Sequence, residues 1–195
     1  MYQKSKIIIA GSKEIVTSLK KQIEIANFIL LDSSYSGNET IRKTTTLFPD
    51  IVVSDYKLSD MTGLDLAISI ENLKLCPVII LASAEQAEYI EELKTSSLNI
   101  FCVSKPVNPS ALNHTILLAV KLTKRIHEYE YQIDSLKKQL EDRKVIERAK
   151  GILMKKFNMS EDEAYKEMRS KAMNSSKPLA EIAKTIVEMF KIFSN

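Results

Sequence analysis

Apolar and polar residues follow two different rhythms within the first 120 residues of the chain. Short runs rich in isoleucine and valine, typical of buried strands, alternate with segments whose apolar residues recur every three or four positions, as on a helix face. The predicted strands are residues 6–10, 27–31, 51–54, 78–82 and 99–103, and the helices between them are residues 13–24, 38–47, 64–73 and 86–94. This order predicts an α/β domain with a doubly wound, five-stranded parallel sheet covered by helices on both faces.

Polar residues stand where the predicted strands end. Asp55 follows the third strand, Ser83 the fourth and Lys105 the fifth, while Gly11 and Ser12 follow the first. Because functional residues of such sheets gather at the carboxyl edge of the strands, we expect Asp55, Ser83 and Lys105 to converge on one pocket.

A heptad pattern begins near residue 118. Six apolar residues are spaced by four, three, four, three and four positions, which is the repeat of a coiled coil. This seam consists of Leu122, Ile126, Tyr129, Ile133, Leu136 and Leu140. No glycine or proline interrupts residues 111–150, so we expect one long helix whose seam pairs with a second copy of the chain. A helix docked on its own domain is the alternative.

The last fifty residues predict three short amphipathic helices that form a small bundle. Residues 145–157 place their apolar side chains on one side, from Val145 to Phe157. Ser160 and Glu163 have the spacing of a capping box at the start of the second helix, and Pro178 stands in the first turn of the third. The apolar face of the second helix is assigned to Ala164, Tyr165, Met168 and Ala172.

These patterns divide the chain into three parts: an α/β domain over residues 1–120, a coiled-coil dimerisation helix over residues 121–143, and a three-helix unit over residues 144–195. The last part holds 11 Lys and Arg against 7 Asp and Glu, so its formal charge is +4, whereas that of the whole chain is +3. A small basic helical unit is compatible with a polyanionic partner.

Composition narrows the class of protein. With 45% hydrophobic and 27% charged residues, the chain is typical of soluble globular proteins. Its apolar runs are too short to span a bilayer and its N-terminus lacks a secretory signal, so we expect a cytoplasmic protein that does not enter a membrane. Cys76 and Cys102 have no metal-site spacing and are interpreted as small core residues. The sequence shows no combination of a nucleophile, a base and oxyanion-stabilising residues, so we do not expect an enzyme.

The C-terminal residues resemble a known RNA-binding module. The resemblance is carried by Ala149, Lys150 and Gly151, by Leu153 and Met154, by residues 160–164, by Arg169, and by Leu179 with Ala183. Together they are similar to the ANTAR domain of AmiR/NasR-like transcription antiterminators. The N-terminal domain resembles the receiver domain of two-component response regulators, through Asp55, Gly63 and Lys105 followed by Pro106. The resemblance implies a homodimer that binds hairpins in nascent leader transcripts and favours antitermination.

The receiver resemblance implies Asp55 as a candidate phosphoacceptor, but the pocket departs from the family pattern. Receivers hold Mg²⁺ with the acceptor aspartate and an acidic pair after the first strand, where this chain has Gly11 and Ser12. With one secure acid we expect no cofactor, Mg²⁺ being needed only if the receiver is still phosphorylated. Asp55 and Lys105 are then a structural ion pair in a degenerate receiver.

The same pocket bears on what controls the receiver. The hydroxyl residue that contacts the phosphoryl group in receivers aligns with Ala82, although a shift of one residue would place Ser83 there. We expect control by a regulatory protein, while activation by a sensor kinase through phosphorylation is the alternative.

The ANTAR resemblance also selects candidate RNA contacts. The side of the first bundle helix away from the core is predicted to carry Arg143, Glu147, Lys150 and Met154. Cations at this spacing can straddle phosphates, and an exposed methionine can contact a splayed base. The candidates are Arg143, Lys150, Met154, Tyr165, Arg169 and Lys177. Tyr165 either stacks on an unpaired base or packs in the core with its hydroxyl outward.

Two other functions compete with RNA binding. A DNA-binding response regulator would need a helix-turn-helix, but the second and third bundle helices lack its short glycine turn and its polar recognition helix. A protein-binding adaptor acting through the coiled coil is the other alternative. Comparing affinities for hairpin RNA and duplex DNA separates these interpretations.

Overall fold

A computed structural model describes residues 4–26, 28–93 and 99–192. The chain divides into two units, Met1–His127 and Glu128–Asn195. The elements of the first unit are β1 Lys6–Ala10, α1 Lys13–Ile25, β2 Ile29–Ser34, α2 Gly37–Leu47, β3 Ile51–Asp55, α3 Gly63–Asn72, β4 Val78–Ala82, α4 Ala84–Leu93 and β5 Ile100–Ser104. Helix α5, Pro109–Phe157, begins in the first unit and ends in the second, which continues with α6 Glu161–Ser175 and α7 Leu179–Ile192.

The five strands form one parallel sheet in the order β2-β1-β3-β4-β5. Because successive strand residues point to opposite faces, the sheet contributes to two apolar clusters. Ile7 and Ile9 pack in one cluster with residues of α1 and α5, while Ile8 and Ala10 pack in the other with residues of α3 and α4. The predicted doubly wound, five-stranded parallel sheet is confirmed.

The predicted bounds of the second strand are wrong. Residues 27–31 were expected, and β2 runs over Ile29–Ser34, with Asn27 outside the described residues. The polar residues Asp32, Ser33 and Ser34 continue the strand by pairing with Ile8, Ile9 and Ala10 of β1. An edge strand needs only backbone hydrogen bonds to one neighbour, so a polar sequence can extend it beyond its apolar run.

Helix α4 begins two residues before the predicted start at Gln86, and the predicted last residue, Lys94, lies outside the described residues. Cys76 is buried in the cluster that holds Ile8, and Cys102 packs against that cluster. Burial raises the pKa of the Cys76 thiol to about 12. Among the described helices, none is long and apolar enough to cross a membrane.

In the second unit, the end of α5 packs with α6 and α7 around a separate apolar core. Its buried residues are Ala149, Leu153, Ala164, Met168, Ala183 and Val187. The predicted capping box is present: the Ser160 hydroxyl accepts from the Glu163 amide at 3.3 Å, and the Glu163 carboxylate accepts from the Ser160 amide at 2.8 Å. Each bond satisfies an amide that the helix start would leave unpaired.

The first bundle helix is not a separate short helix, because α5 continues to Phe157. The predicted boundaries at residues 120 and 143 both fall inside α5 and stay predictions. Phe157, which was assigned to the apolar side, is exposed at the end of the helix.

Candidate functional site

Asp55 and Lys105 form an ion pair at the carboxyl edge of the sheet. Asp55 is the last residue of β3 and is buried, and the Lys105 ammonium group donates to its Oδ1. The amide of Tyr56 donates to the same oxygen at 2.8 Å. The carboxylate is therefore held by a cation and a backbone amide of the chain itself.

Gly11 lies directly against the phosphoacceptor candidate. A Cβ atom at Gly11 would lie 3.2 Å from Cβ of Asp55 and 3.3 Å from Cγ2 of Ile15. The amide of Gly11 donates to the Ser34 carbonyl at 3.0 Å, which fixes this backbone beside β2. A carboxylate at this position would need its neighbours to shift.

Two predicted pocket residues, Ser12 and Ser83, are helix caps. The Ser12 hydroxyl accepts from the Ile15 amide at 3.4 Å at the start of α1. The Ser83 hydroxyl accepts from the Gln86 amide at 3.3 Å, and the Ser83 amide donates to the Gln86 side chain at 2.9 Å. The structure thus brings Gly11, Asp55 and Lys105 together, whereas Ser12 and Ser83 bond within the helices that follow their strands.

The donors at this edge do not fit Mg²⁺, which is held mainly by carboxylate oxygens and water. Asp55 supplies one carboxylate that already bonds Lys105, and neither Gly11 nor Ser12 can supply another. Glu14 is exposed on α1. Within residues 4–26, 28–93 and 99–192, no group of three or more His, Cys, Asp or Glu residues could hold a metal ion.

Sequence reasoning missed Asp60, which fixes the loop between β3 and α3. Its carboxylate accepts from the Ser36 hydroxyl at 2.7 Å and from the amides of Gly37 and Asn38 at 2.6 and 3.1 Å. The Ser36 hydrogen bond, followed by the Gly37 amide, lowers the pKa of Asp60 to about 2. No local signal could reveal this cap, because it joins the start of α2 to a loop more than twenty residues later.

A depression of about 430 Å³ lies beside this loop. Its lining residues are Ser12, Lys13, Tyr35, Lys57, Leu58 and Ser59. The Ser59 amide donates to the Tyr35 carbonyl at 3.1 Å, so the loops after β2 and β3 are joined at its wall.

The predicted seam forms an exposed apolar stripe on α5. Ile126 is partly buried, and the other members are exposed, Leu136 to the extent of 63%. Contiguous exposed apolar surface of this kind marks interaction sites. Dimerisation along the seam stays a prediction.

The outward placement of Lys150 is wrong. Its side chain is only 11% exposed, and its ammonium group lies 2.7 Å from Oε1 of Glu161 and 2.9 Å from Oε1 of Glu147. The hydrogen bonds that Lys150 donates to Glu161 and then to Glu147 raise its pKa. On a helical wheel, Lys150 lies away from the apolar side of α5. In the structure, Glu161 of α6 reaches Lys150 on that side of the helix.

The other RNA candidates are exposed. Arg143 and Arg169 have no ion-pair partner among the described residues, whereas Lys177 is paired with Glu181. Met154 is 38% exposed and Tyr165 is 42% exposed.

The assignment of Tyr165 to the apolar face of α6 is wrong. The core side of this helix is occupied at steps of four by Ala164, Met168 and Ala172, so the next residue, Tyr165, turns toward solvent. Sequence reasoning also missed Arg148 and Lys155, two exposed cations on α5 without an ion-pair partner in the described part of the chain.

Comparison with known families agrees with this architecture. Residues 7–117 match the response regulator receiver domain, and residues 134–187 match the ANTAR domain. The chain belongs to the response regulator receiver family. Its C-terminal part is an ANTAR domain, so the resemblance drawn from Asp55, Lys105 and the C-terminal residues is confirmed. Both matches are to domains of regulators, a receiver domain and an RNA-binding ANTAR domain, and neither is to an enzyme family.

Two proteins and one solved structure illustrate the similarity. This response regulator is 27% identical to the transcriptional regulatory protein PdtaR of Mycobacterium tuberculosis over 94% of this chain and 89% of PdtaR. It is 41% identical to the nitrate regulatory protein of Klebsiella oxytoca over 29% of this chain and 14% of that protein. The signal receiver domain of a modulated diguanylate cyclase from Desulfovibrio desulfuricans G20 shares the fold, with a TM-score of 0.56, 22% identity and coverage of 63% of this chain and 98% of that chain.

Proposed function

We propose that this response regulator promotes transcription antitermination in the cytoplasm by binding hairpin loops of leader transcripts through its ANTAR domain. It acts as a homodimer joined along the seam of α5, and a protein partner rather than phosphorylation controls its receiver. The observation that carries the proposal is the ANTAR match over residues 134–187, on a chain that also matches a receiver.

The chemistry of the exposed candidates supports recognition of unpaired RNA bases. Tyr165 and Met154 offer an aromatic ring and a polarisable thioether to bases that a loop leaves unstacked. Stacking of one base on an aromatic side chain contributes about 1–3 kcal/mol. Arg143 and Arg169 form no ion pairs within the described residues, so their guanidinium groups can pair with the phosphates beside such a base.

The exposed seam supports a dimer. Isoleucine, leucine and tyrosine at heptad spacing lose water contact when two helices pair, which is the main driving force of coiled-coil association. A dimer carries two ANTAR domains, and linking them raises the effective concentration of the second domain once the first has bound. Two adjacent hairpins in one transcript are the ligand that this arrangement favours.

The pocket chemistry supports control without phosphorylation. Phosphoryl transfer to Asp55 would have to proceed without an acidic pair to hold Mg²⁺, because Gly11 and Ser12 occupy the positions of that pair. The hydroxyls of Ser12 and Ser83 accept amides at the starts of α1 and α4, and neither side chain supplies a carboxylate for a metal ion. A regulatory protein that binds the receiver, in place of a sensor kinase that phosphorylates it, is the proposed input.

Competition binding of the full chain tests this function. The labelled probe is an RNA with two adjacent stem-loops, and the competitors are a single stem-loop, a duplex RNA and a duplex DNA of equal charge. We expect the paired stem-loops to bind most tightly, with an affinity that falls linearly with salt on logarithmic axes. Equal affinity for duplex DNA would favour the DNA-binding alternative, and no binding to any nucleic acid would favour the adaptor.

A further inference from the structure

Gly151 occupies an unusual place inside α5. Glycine weakens a helix interior because it loses the most backbone freedom on folding. None of the described glycines has a positive φ, so the backbone of α5 does not require glycine here. A Cβ atom at Gly151 would meet no atom within 4 Å, whereas one at Gly37 or Gly63 would collide with its neighbours at 2.3 Å. Nothing within the described chain explains this glycine.

The helix surface around Gly151 is exposed and cationic. Its neighbours one turn away along the helix are Glu147, Arg148, Met154 and Lys155, all of them exposed. Arg148 and Lys155 have no ion-pair partner among the described residues. The Glu147 carboxylate is bonded to Lys150 at 2.9 Å, so part of its charge is neutralised. A bare stretch of backbone thus lies between two available cations and one apolar side chain.

A helix surface without a Cβ atom lets another chain approach unusually closely, and the charges here select a polyanion. A second copy of α5 crossing at this point would bring like charges of Arg148 and Lys155 near their own counterparts. The apolar seam that supports pairing of two helices ends at Leu140, well before Gly151. A polynucleotide instead brings phosphates that Arg148 and Lys155 can pair with.

We infer that the sugar-phosphate backbone of bound RNA crosses α5 at Gly151, with Arg148 and Lys155 on phosphates at either side and Met154 against a ribose or base. This inference rests on the proposed RNA-binding function and names its central contact. A larger side chain in place of Gly151 would hold the RNA away from the helix, although it would stabilise the helix itself.

Substitutions of Gly151 should stabilise the chain and weaken RNA binding, and this pair of opposite effects tests the inference. The full-length variants are Gly151→Ala and Gly151→Leu, and the control is Thr185→Ala, which raises helix propensity at an exposed position of α7. The probe is the stem-loop RNA that the wild-type chain enriches from a library with randomised loops. We expect the melting temperature of both Gly151 variants to rise by about 2–8 °C. Their RNA affinity should fall about tenfold for alanine and further for leucine, while Thr185→Ala binds as the wild type does.

Charge variants test the flanking contacts in the same assay. The salt slope is the steepness with which the logarithm of RNA affinity falls with the logarithm of salt concentration. Arg148→Gln and Lys155→Gln should each reduce this slope by about one. Lys171→Gln, which removes a cation already paired with Glu167 at 3.2 Å, should leave the slope unchanged.

The outcomes separate this inference from the function on which it rests. Unchanged affinity of Gly151→Leu for a probe that the wild type binds overturns the close crossing at Gly151 and leaves the RNA-binding function intact. A wild-type chain that enriches no stem-loop overturns both. A Gly151 variant that loses dimerisation in sedimentation, with RNA affinity per chain unchanged, shows that a second copy occupies the surface and overturns the inference as well.

Discussion

The ammonium nitrogen of Lys150 on α5 lies 2.7 Å from Oε1 of Glu161 in the first turn of α6. The same nitrogen lies 2.9 Å from Oε1 of Glu147, so one nearly buried cation joins two helices and two carboxylates. Because its charge is already paired, Lys150 is better placed to position α6 and its Tyr165 than to hold a phosphate.

Replacing Lys150 by methionine should separate positioning from contact. Lys150→Met keeps an unbranched apolar stem, one atom shorter than lysine, and removes both ion pairs, so we expect the melting temperature to fall by a few degrees and RNA affinity to fall severalfold. The salt slope should stay unchanged, since a phosphate contact would lower it by about one. Melting curves and filter binding at several salt concentrations measure these quantities.

Two variants control for the loss of Lys150. Glu161→Gln should cause a similar fall in melting temperature, and the double variant should cost less than the sum of the two single variants. Arg143→Gln should instead lower the salt slope without destabilising the bundle. A Lys150→Met protein of normal stability with a flatter slope would restore Lys150 as an RNA contact.

Acetyl phosphate and Mg²⁺ should leave Asp55 unmodified in the wild-type receiver. The carboxylate is paired with Lys105, and the positions that should supply metal-binding acids hold Gly11 and Ser12. Intact mass spectrometry measures the modification, and sedimentation with beryllofluoride measures any change in association.

Ser12→Asp is the matched variant for this experiment. Aspartate also caps helices well, so α1 should keep its start while the pocket gains one carboxylate. We expect Mg²⁺-dependent modification to be greater in this variant than in the wild type. Stoichiometric phosphorylation of wild-type Asp55 would show that the receiver is active and that a kinase is its input.

A charge in the seam should break the proposed dimer. Leu136→Lys places an ammonium group on a side chain that is 63% exposed in the single chain and that the proposed coiled coil buries. We expect a shift to monomer by light scattering, with weaker binding to paired stem-loops and little change for a single stem-loop.

The control for the seam is Tyr131→Lys on the same helix. Tyr131 is 77% exposed and lies off the heptad positions, so this variant should remain dimeric. Equal association of both variants with the wild type would exclude the seam as the interface.

Acid should remove the contribution of Asp60 to receiver stability. The folded-state pKa of about 2 lies below the ordinary value of 3.8, so this contribution is present above pH 3.8 and is lost as the pH falls through about 2. We expect Asp60→Asn to melt below the wild type at neutral pH, with a difference that narrows toward pH 2. Melting curves across this range check the prediction, and Asp134→Asn on the exposed face of α5 serves as control. A difference independent of pH would show that charge is not what Asp60 supplies.

The sequence predicted the sheet because its inner strands β1, β3 and β4 are buried on both faces and therefore form uninterrupted apolar runs. Strands β1 and β4 have the predicted bounds. The error in β2 arises at the edge of the sheet, where backbone pairing with β1 continues through Asp32 and its neighbours without apolar side chains. A capping box depends only on residues that are close in sequence, so it could also be predicted. Ser160 and Glu163 form the capping box that their spacing indicates.

The candidate sites were less predictable because their side chains meet residues distant in sequence. A helical wheel describes α5 alone and could not show that Glu161 of α6 reaches Lys150. The same limit hid the cap that Asp60 supplies to Gly37. Asp55 and Lys105 could be paired in advance because the carboxyl ends of parallel strands meet at one edge.

The unbroken course of α5 couples the seam to the ANTAR surface. Leu140 and Met154 are separated by two heptads, so they have nearly the same angular position around the helix, apart from a drift of about 20° per heptad. A rotation of α5 about its own axis at Leu140 therefore turns Met154 through the same angle. An incoming signal that alters how two such helices face each other would reorient the side chains presented to a transcript, without any hinge between them.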